Sequence, residues 1–334
     1  MSVRIGSMFT GYGGLEMGLE RAGLDCRTVW HAETDSLVNT LLTSHGRNLG
    51  DVRDVEWSRV SRVGMLVAGF PCQPVSAAGG QAGDLDPRWL WPEVLRAVDE
   101  LQPRRVFVEN VRNLIAWGRG RLWSDMLDDL RVRGYGIRWL TMGACAVGAA
   151  HHRHRVFALA TAGSGEGAWR MPAQECGARE AVFPTPTTRD GDGRGTGDRR
   201  YWTVRQALRT NGVPLDVAVA MLPTPRATDG TNGGPGQRHG HGGLALPSAV
   251  QPDHWGAYAE AVRRHSKLYG RPPRPTEPNS NGAPRLTVDF AEWLMCLPAG
   301  HVSSKLPRLT ALKAIGNGAC PPQVARAFTI LGGA

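Results

Sequence analysis

Over the first half of the chain, apolar runs of strand length alternate with helical patterns. Residues 3–9 (VRIGSMF), 27–33 (RTVWHAE), 64–70 (GMLVAGF), 104–110 (RRVFVEN), 136–144 (GIRWLTMGA) and 155–161 (RVFALAT) read as buried strands. Helical periodicity near 13–22, 36–44, 89–100 and 122–132 separates most of them. Strand and helix repeated in this way predict an α/β domain over 1–161, built on a doubly wound, mostly parallel sheet covered on both faces. From 162 to 283 the pattern changes to Gly, Pro, Thr and Arg with few long apolar runs. One helix, near 255–269, interrupts it. Helical patterns return at 287–296, 309–315 and 321–331, so 284–334 is expected to rejoin the first domain.

The middle region contains an internal echo, FPTPTTRDGDGRG at 183–195 and LPTPRATDGTNGG at 222–234. Two turn-rich loops carrying Arg189, Arg194 and Arg226 suit fingers reaching a nucleic-acid groove, and equally suit two solvated loops.

Composition narrows the class. No run of eighteen apolar residues occurs and the N-terminus lacks a signal-peptide pattern, so a soluble cytoplasmic protein without a membrane partner is expected. Six cysteines are scattered without CxxC spacing, which points to reduced thiols rather than to a disulfide framework or a zinc site. The formal charge is +9, with 39 basic residues of which only Lys267, Lys305 and Lys313 are lysine. Arginine's planar fork suits phosphate and guanine edges; a GC-rich coding bias gives the same excess.

The chemistry concentrates where strands end, the edge at which open α/β sheets gather ligands. After the first strand, Phe9, Gly11, Gly13 and Gly14 form a tight turn into a helix, where backbone amides can approach a ligand. Glu33, ending the second strand, is placed to grip a ribose hydroxyl, and Asp51 to accept from an adenine amino group. No Gly-Lys-Ser/Thr follows the turn, so an adenosyl group without phosphates fits better than a triphosphate. Cys72, in GFPCQPVS, sits where a strand breaks into a loop; an arbitrary cysteine there is more often a small buried hydrophobe. Glu109 follows Val-Phe-Val in a half-buried setting that favours a neutral carboxyl able to donate to a ring nitrogen. Arg153 and Arg155 are two apart on an expected strand, hence on one face. These cations interleave with His151, His152 and His154, which argues against a metal site.

Taken in order, these residues resemble the DNA cytosine-5 methyltransferase family. The set comprises the FxGxGG turn, Glu33, Gly50-Asp51, Pro71-Cys72-Gln73, Arg88-x-Leu90 with Glu93, Glu109-Asn110-Val111, Arg153-x-Arg155, Arg285-x-Thr287 and Gly316-Asn317. The resemblance implies a Rossmann-like methyltransferase domain, a smaller loop-rich target-recognition domain over 162–283, and a monomer acting on double-stranded DNA. It implies S-adenosylmethionine as cofactor, held by the turn, Glu33, Asp51, Pro71 and Asn317. By the same resemblance Cys72 adds to carbon 6 of a cytosine flipped out of the duplex. Glu109 donates to N3 of that ring, Arg155 contacts its O2, and Arg153 stands beside it. Gln73, Ser76 and Arg88 would lie on the DNA side. The chain departs from the usual pattern at His151, where Gln is common, at Gly318-Ala319, where Ser/Ala-Val is common, and at Val288-Asp289-Phe290. Two other readings are a relative of the same fold that methylates cytosine in RNA, and an inactive DNA-binding relative.

Overall fold

The computed structural model describes residues 2–71, 86, 88–164, 168–173, 255, 258–278 and 284–333. The chain forms two compact units. The first comprises Met1–Val147, His154–Glu175 and Gly318–Ala334, the second Gly148–Arg153 and Cys176–Asn317. The segment after 284 therefore divides at Asn317, its last part returning to the first unit.

In chain order the elements of the first unit are β1 (Val3–Met8), α1 (Gly14–Arg21), β2 (Cys26–Ala32), α2 (Ser36–Asn39), β3 (Arg47–Asn48), β4 (Met65–Ala68), α3 (Trp91–Leu101) and β5 (Arg105–Val111). They continue with α4 (Asn113–Ala116), α5 (Arg121–Arg131), β6 (Tyr135–Met142), β7 (Arg155–Ala162) and β8 (Ala168–Arg170). The second unit contributes α6 (Ala259–Tyr269), β9 (Thr276–Pro278), β10 (Pro284–Leu286), α7 (Val288–Leu294) and α8 (Arg308–Asn317), after which α9 (Pro321–Ile330) belongs to the first.

The expected doubly wound sheet is present, with strand order β3-β2-β1-β4-β5-β7-β6-β8. All neighbours run parallel except β7, which is antiparallel to both β5 and β6. Apolar side chains on both faces explain the continuous runs in the sequence. One face packs Trp30, Phe70, Trp91, Trp123 and Trp139 beneath α3 and α5. The other packs Ile5, Leu19, Phe107, Phe157 and Phe328 beneath α1 and α9. There Phe107 stacks on Phe157 at 6.1 Å and meets Phe328 edge-on at 5.4 Å.

Three features differ from expectation. The helix expected over 36–44 stops at Asn39: Asp35 caps its start by accepting from Leu37 and Val38 N–H, and Thr40 Oγ1 donates back to Leu37 O. Strand β8 adds parallel to β6 through only three residues, too few to show a period. Cys26, Cys296 and Cys320 stand outside any disulfide, but Cys145 is disulfide-bonded, so the expectation of reduced thiols fails there.

In the second unit α6 is tied through His265. Ala150 N–H donates to His265 Nδ1 at 3.0 Å, so the other ring nitrogen carries the proton and donates to Trp293 O at 2.9 Å. Burial pushes His265 down to about 4. Thr287 caps α7 by accepting from Phe290 N–H, and the buried Glu292 carboxylate accepts from the backbone of Gly300, Val302 and Ser303. Among the described residues no helix is long and apolar enough to cross a membrane.

Candidate active site

The turn after β1 depends on left-handed backbone. Phe9, Gly11 and Gly13 have φ of 59°, 55° and 84°, and Gly13 is the N-cap of α1. Glycine adopts such angles freely; at Phe9 they carry strain of the kind found where a loop must grip a ligand. Glu33, just past the end of β2, holds the turn: its carboxylate accepts from Gly11 N–H and Asp35 N–H, each at 2.9 Å. Asn48 in turn holds Glu33, accepting from its N–H at 3.1 Å and donating to its carbonyl at 3.0 Å. The same amide oxygen accepts from Gly50 N–H at 3.0 Å, which brings the Asp51 loop to this edge. Asp51 pairs with Arg53 at 2.5 Å, and that guanidinium holds its carboxyl below the usual range. Phe9, Gly11, Gly13, Gly14 and Glu33 are thus brought together, with Asp51 linked to them through Asn48. Below the turn Glu16 is fully buried, and desolvation pushes its carboxyl up.

The adjoining strands carry the second cluster. Glu109 is 7% exposed, and its Oε1 lies 2.9 Å from Arg155 Nε. A Cβ placed on Gly69 would stand 3.6 Å from Glu109 Oε2. The carboxylate therefore flanks the backbone three residues before Cys72. Asn110 Nδ2 donates to Phe70 O at 3.1 Å, tying the end of β5 to the residue before Pro71.

The expectation that Arg153 and Arg155 share a strand face is overturned. Strand β7 begins at Arg155; Arg153 lies before it with φ of 32°, is buried, and directs Nη1 and Nη2 to Gly316 O at 3.4 Å. Residue 153 belongs to the second unit and Arg155, which pairs with Glu109, to the first. Arg88 is half-exposed and pairs with Asp86 at 2.6 Å. Asn317 is the exposed last residue of α8. Cys72, Gln73, Ser76, Arg189, Arg194, Arg226 and both copies of the echo lie outside the described residues.

Three supporting residues were missed in the sequence. Asn48 is a polar residue near an expected site residue, which was its only signal, and Asn110 stood inside the Glu109-Asn110-Val111 motif with no role assigned to it. Tyr12, inside the turn, is 1% exposed and donates through its hydroxyl to Ala319 O at 2.5 Å. A Cβ on Gly318 would stand 2.0 Å from the Tyr12 ring, which accounts for glycine where Ser or Ala is common.

A sheet with this order, a glycine turn after its first strand and an acidic second-strand end defines a Rossmann-like α/β protein whose glycine turn lies at the sheet's carboxyl edge. The model of the C-5 cytosine-specific DNA methylase family matches residues 3–216. The chain belongs to that family. It is 32% identical over 171 residues to the Type II methyltransferase M.BanI of Aneurinibacillus aneurinilyticus, covering 49% of this chain and 40% of that protein. It is 31% identical over 147 residues to M.Bsp6I of a Bacillus species, covering 42% and 46%. The matched region thus spans under half the length of these curated relatives. The S. pombe Dnmt2 methyltransferase structure aligns over 98% of both chains with a TM-score of 0.57 at 16% identity, a likeness of fold.

Proposed function

We propose that this protein is a DNA (cytosine-5-)-methyltransferase that uses S-adenosylmethionine and acts on cytosine in duplex DNA in the cytoplasm. The observation that carries the reading is the buried Glu109–Arg155 pair beside Gly69, on the strand end that leads into Pro71-Cys72.

The turn suits an adenosyl group. It offers backbone amides, the Glu33 carboxylate for ribose hydroxyls and Asp51 for an amino group, with no phosphate-binding lysine. Phe9, Gly11, Gly13, Gly14, Glu33 and Asp51 would hold the cofactor, which supplies an electrophilic methyl carbon. The target ring atoms lie within the base stack, so the cytosine must be flipped out to be reached. A neutral pyrimidine carbon is a poor nucleophile. Cys72, as thiolate, forms a bond to carbon 6, and the electron pair displaced from the C5–C6 double bond makes carbon 5 nucleophilic. In this reading Glu109 bonds N3 and Arg155 bonds O2, with the Glu109–Arg155 pair holding the two side chains in mutual orientation. After carbon 5 has been substituted, loss of its proton and expulsion of the Cys72 thiolate restore the ring.

Cys72→Ser is expected to abolish methyl transfer while duplex binding survives. Duplex carrying 5-fluorocytosine at the target is expected to be trapped on Cys72, because fluorine cannot leave as the proton does. Peptide mapping that finds no adduct, or turnover on transfer RNA but not on duplex DNA, refutes the assignment.

A further inference from the structure

At the sheet edge opposite the proposed active site, the start of β5, the start of β6 and the end of β7 surround a cavity of about 230 Å³. Arg105, Arg138, Thr161, Ser164, Trp169 and Gly332 are among its lining residues. On strand β5 Arg105 stands four residues before Glu109, so this corner lies about 13 Å from Glu109 along the strand. Nothing in the proposed reaction uses it.

Two cations converge there, and among the described residues neither has a carboxylate partner. Arg105 Nη1 donates to Gly333 O at 2.8 Å, answering the carbonyls after the end of α9, and among the described residues it pairs with no carboxylate. Arg138 is exposed and also lacks a carboxylate partner among the described residues. Its Nη1 lies 2.7 Å from where a Cβ on Gly332 would stand, so a side chain at 332 would displace the guanidinium. Beside it, Trp169 is 66% exposed, an uncommon state for the largest apolar side chain. Arg138 and Trp169 are register partners on the parallel strands β6 and β8, which puts both side chains on the same face about 5 Å apart. Thr161 and Ser164 add hydroxyls at the rim; Ser164 Oγ donates to Thr161 O at 2.8 Å and retains acceptor capacity.

We propose that this corner is a second binding site, for a phosphate-bearing heteroaromatic ring. The phosphate enters between Arg105 and Arg138, whose forks match its oxygens, and the ring stacks on Trp169. The cavity is smaller than the roughly 300–1,000 Å³ of pockets that enclose a whole drug-sized ligand, which suits a phosphate inside and a ring resting on the indole outside. The same chemistry is offered by a free nucleotide and by the unpaired end of a nucleic-acid strand.

The test titrates the full chain by calorimetry with guanosine monophosphate, guanosine and inorganic phosphate, with excess S-adenosylhomocysteine present to occupy the cofactor turn. In parallel it uses a blunt duplex and the same duplex with a single-stranded end. The monophosphate, or the overhanging duplex, is expected to bind about tenfold or more tighter than its controls, and R138Q and W169A are each expected to weaken it about tenfold. The monophosphate result identifies a nucleotide site, the overhang result a strand-end site. Both side chains are exposed, so unchanged melting of the variants separates lost binding from lost folding. Binding of neither probe, or binding indifferent to R138Q or to W169A, overturns the proposal.

Discussion

Gly318→Ala tests the interlock that joins the glycine turn to the chain just before α9. The new Cβ would lie 2.0 Å from Tyr12 Cε1, 2.5 Å from Cζ and 2.6 Å from Cδ1. Carbon atoms rest at about 3.5–4.0 Å, so the ring must retreat by roughly 1.5 Å. It has nowhere to go. Tyr12 is 1% exposed, its hydroxyl is bonded to Ala319 O, and a Cβ placed on Gly14 would stand 2.8 Å from its Cε2. Overpacking costs about 1–3 kcal/mol and loss of the hydroxyl bond about 1 kcal/mol. A total of about 2–4 kcal/mol lowers the melting temperature by roughly 5–15 °C for a unit of this size. Tyr12→Ala alone removes a buried aromatic and costs about 3–5 kcal/mol. In the double variant the alanine methyl enters the space the ring vacates, so the two losses should fall short of their sum by about 2 kcal/mol. Urea unfolding of the four proteins measures this coupling. Losses that add within about 0.5 kcal/mol, or a Gly318→Ala variant as stable as the parent, would refute the interlock.

Two further expectations follow from the geometry. Glu33→Ala removes the acceptor of Gly11 and Asp35 N–H and the proposed partner of the ribose, so S-adenosylmethionine affinity should fall about 10- to 100-fold by calorimetry, with Glu33→Gln between; unchanged affinity in both removes Glu33 from the site. His265 is held neutral by burial, with its pKa lowered from 6.5 to about 4, so the folded state binds fewer protons than the unfolded one between those values. The stability this gives is complete above pH 6.5 and declines by about 3 kcal/mol as the pH falls to 4. His265→Gln should flatten that part of the urea-midpoint profile, and an unaltered slope would sink the assignment.

The long strands were legible because burial on both faces leaves unbroken apolar runs, and each lies within two residues of its expected bounds. Strands β3 and β8 were not legible: two or three residues carry no period, and their pairing is decided by neighbours distant in sequence. At the site, Glu33, Glu109 and the glycine turn announced themselves as polar or flexible residues at the ends of apolar runs. Arg153 was misread because the alternation argument assumed extended backbone two residues too early, where the chain instead takes a φ of 32°. Tyr12 gave no local signal at all. Its reason lies at Gly318 and Ala319, and spacing within a motif does not report contacts across such a separation.

That separation bears on how the protein is made. Tyr12 and Ala319 are 307 residues apart, and α9 covers the sheet face on which α1 and Phe107 lie. While the ribosome is still adding the intervening chain, β1, β2, β4 and β5 can associate, but one face of their sheet has α1 without α9 to cover it and the glycine turn lacks its brace. Contacts of such long range close slowly, since the loop entropy must be met before they reward it. A nascent or prematurely stopped chain therefore carries the glycine turn without the Tyr12–Ala319 bond that braces it. Synthesis of α9 is the step that completes this face, and the apolar surface exposed before that point is what a chaperone would meet.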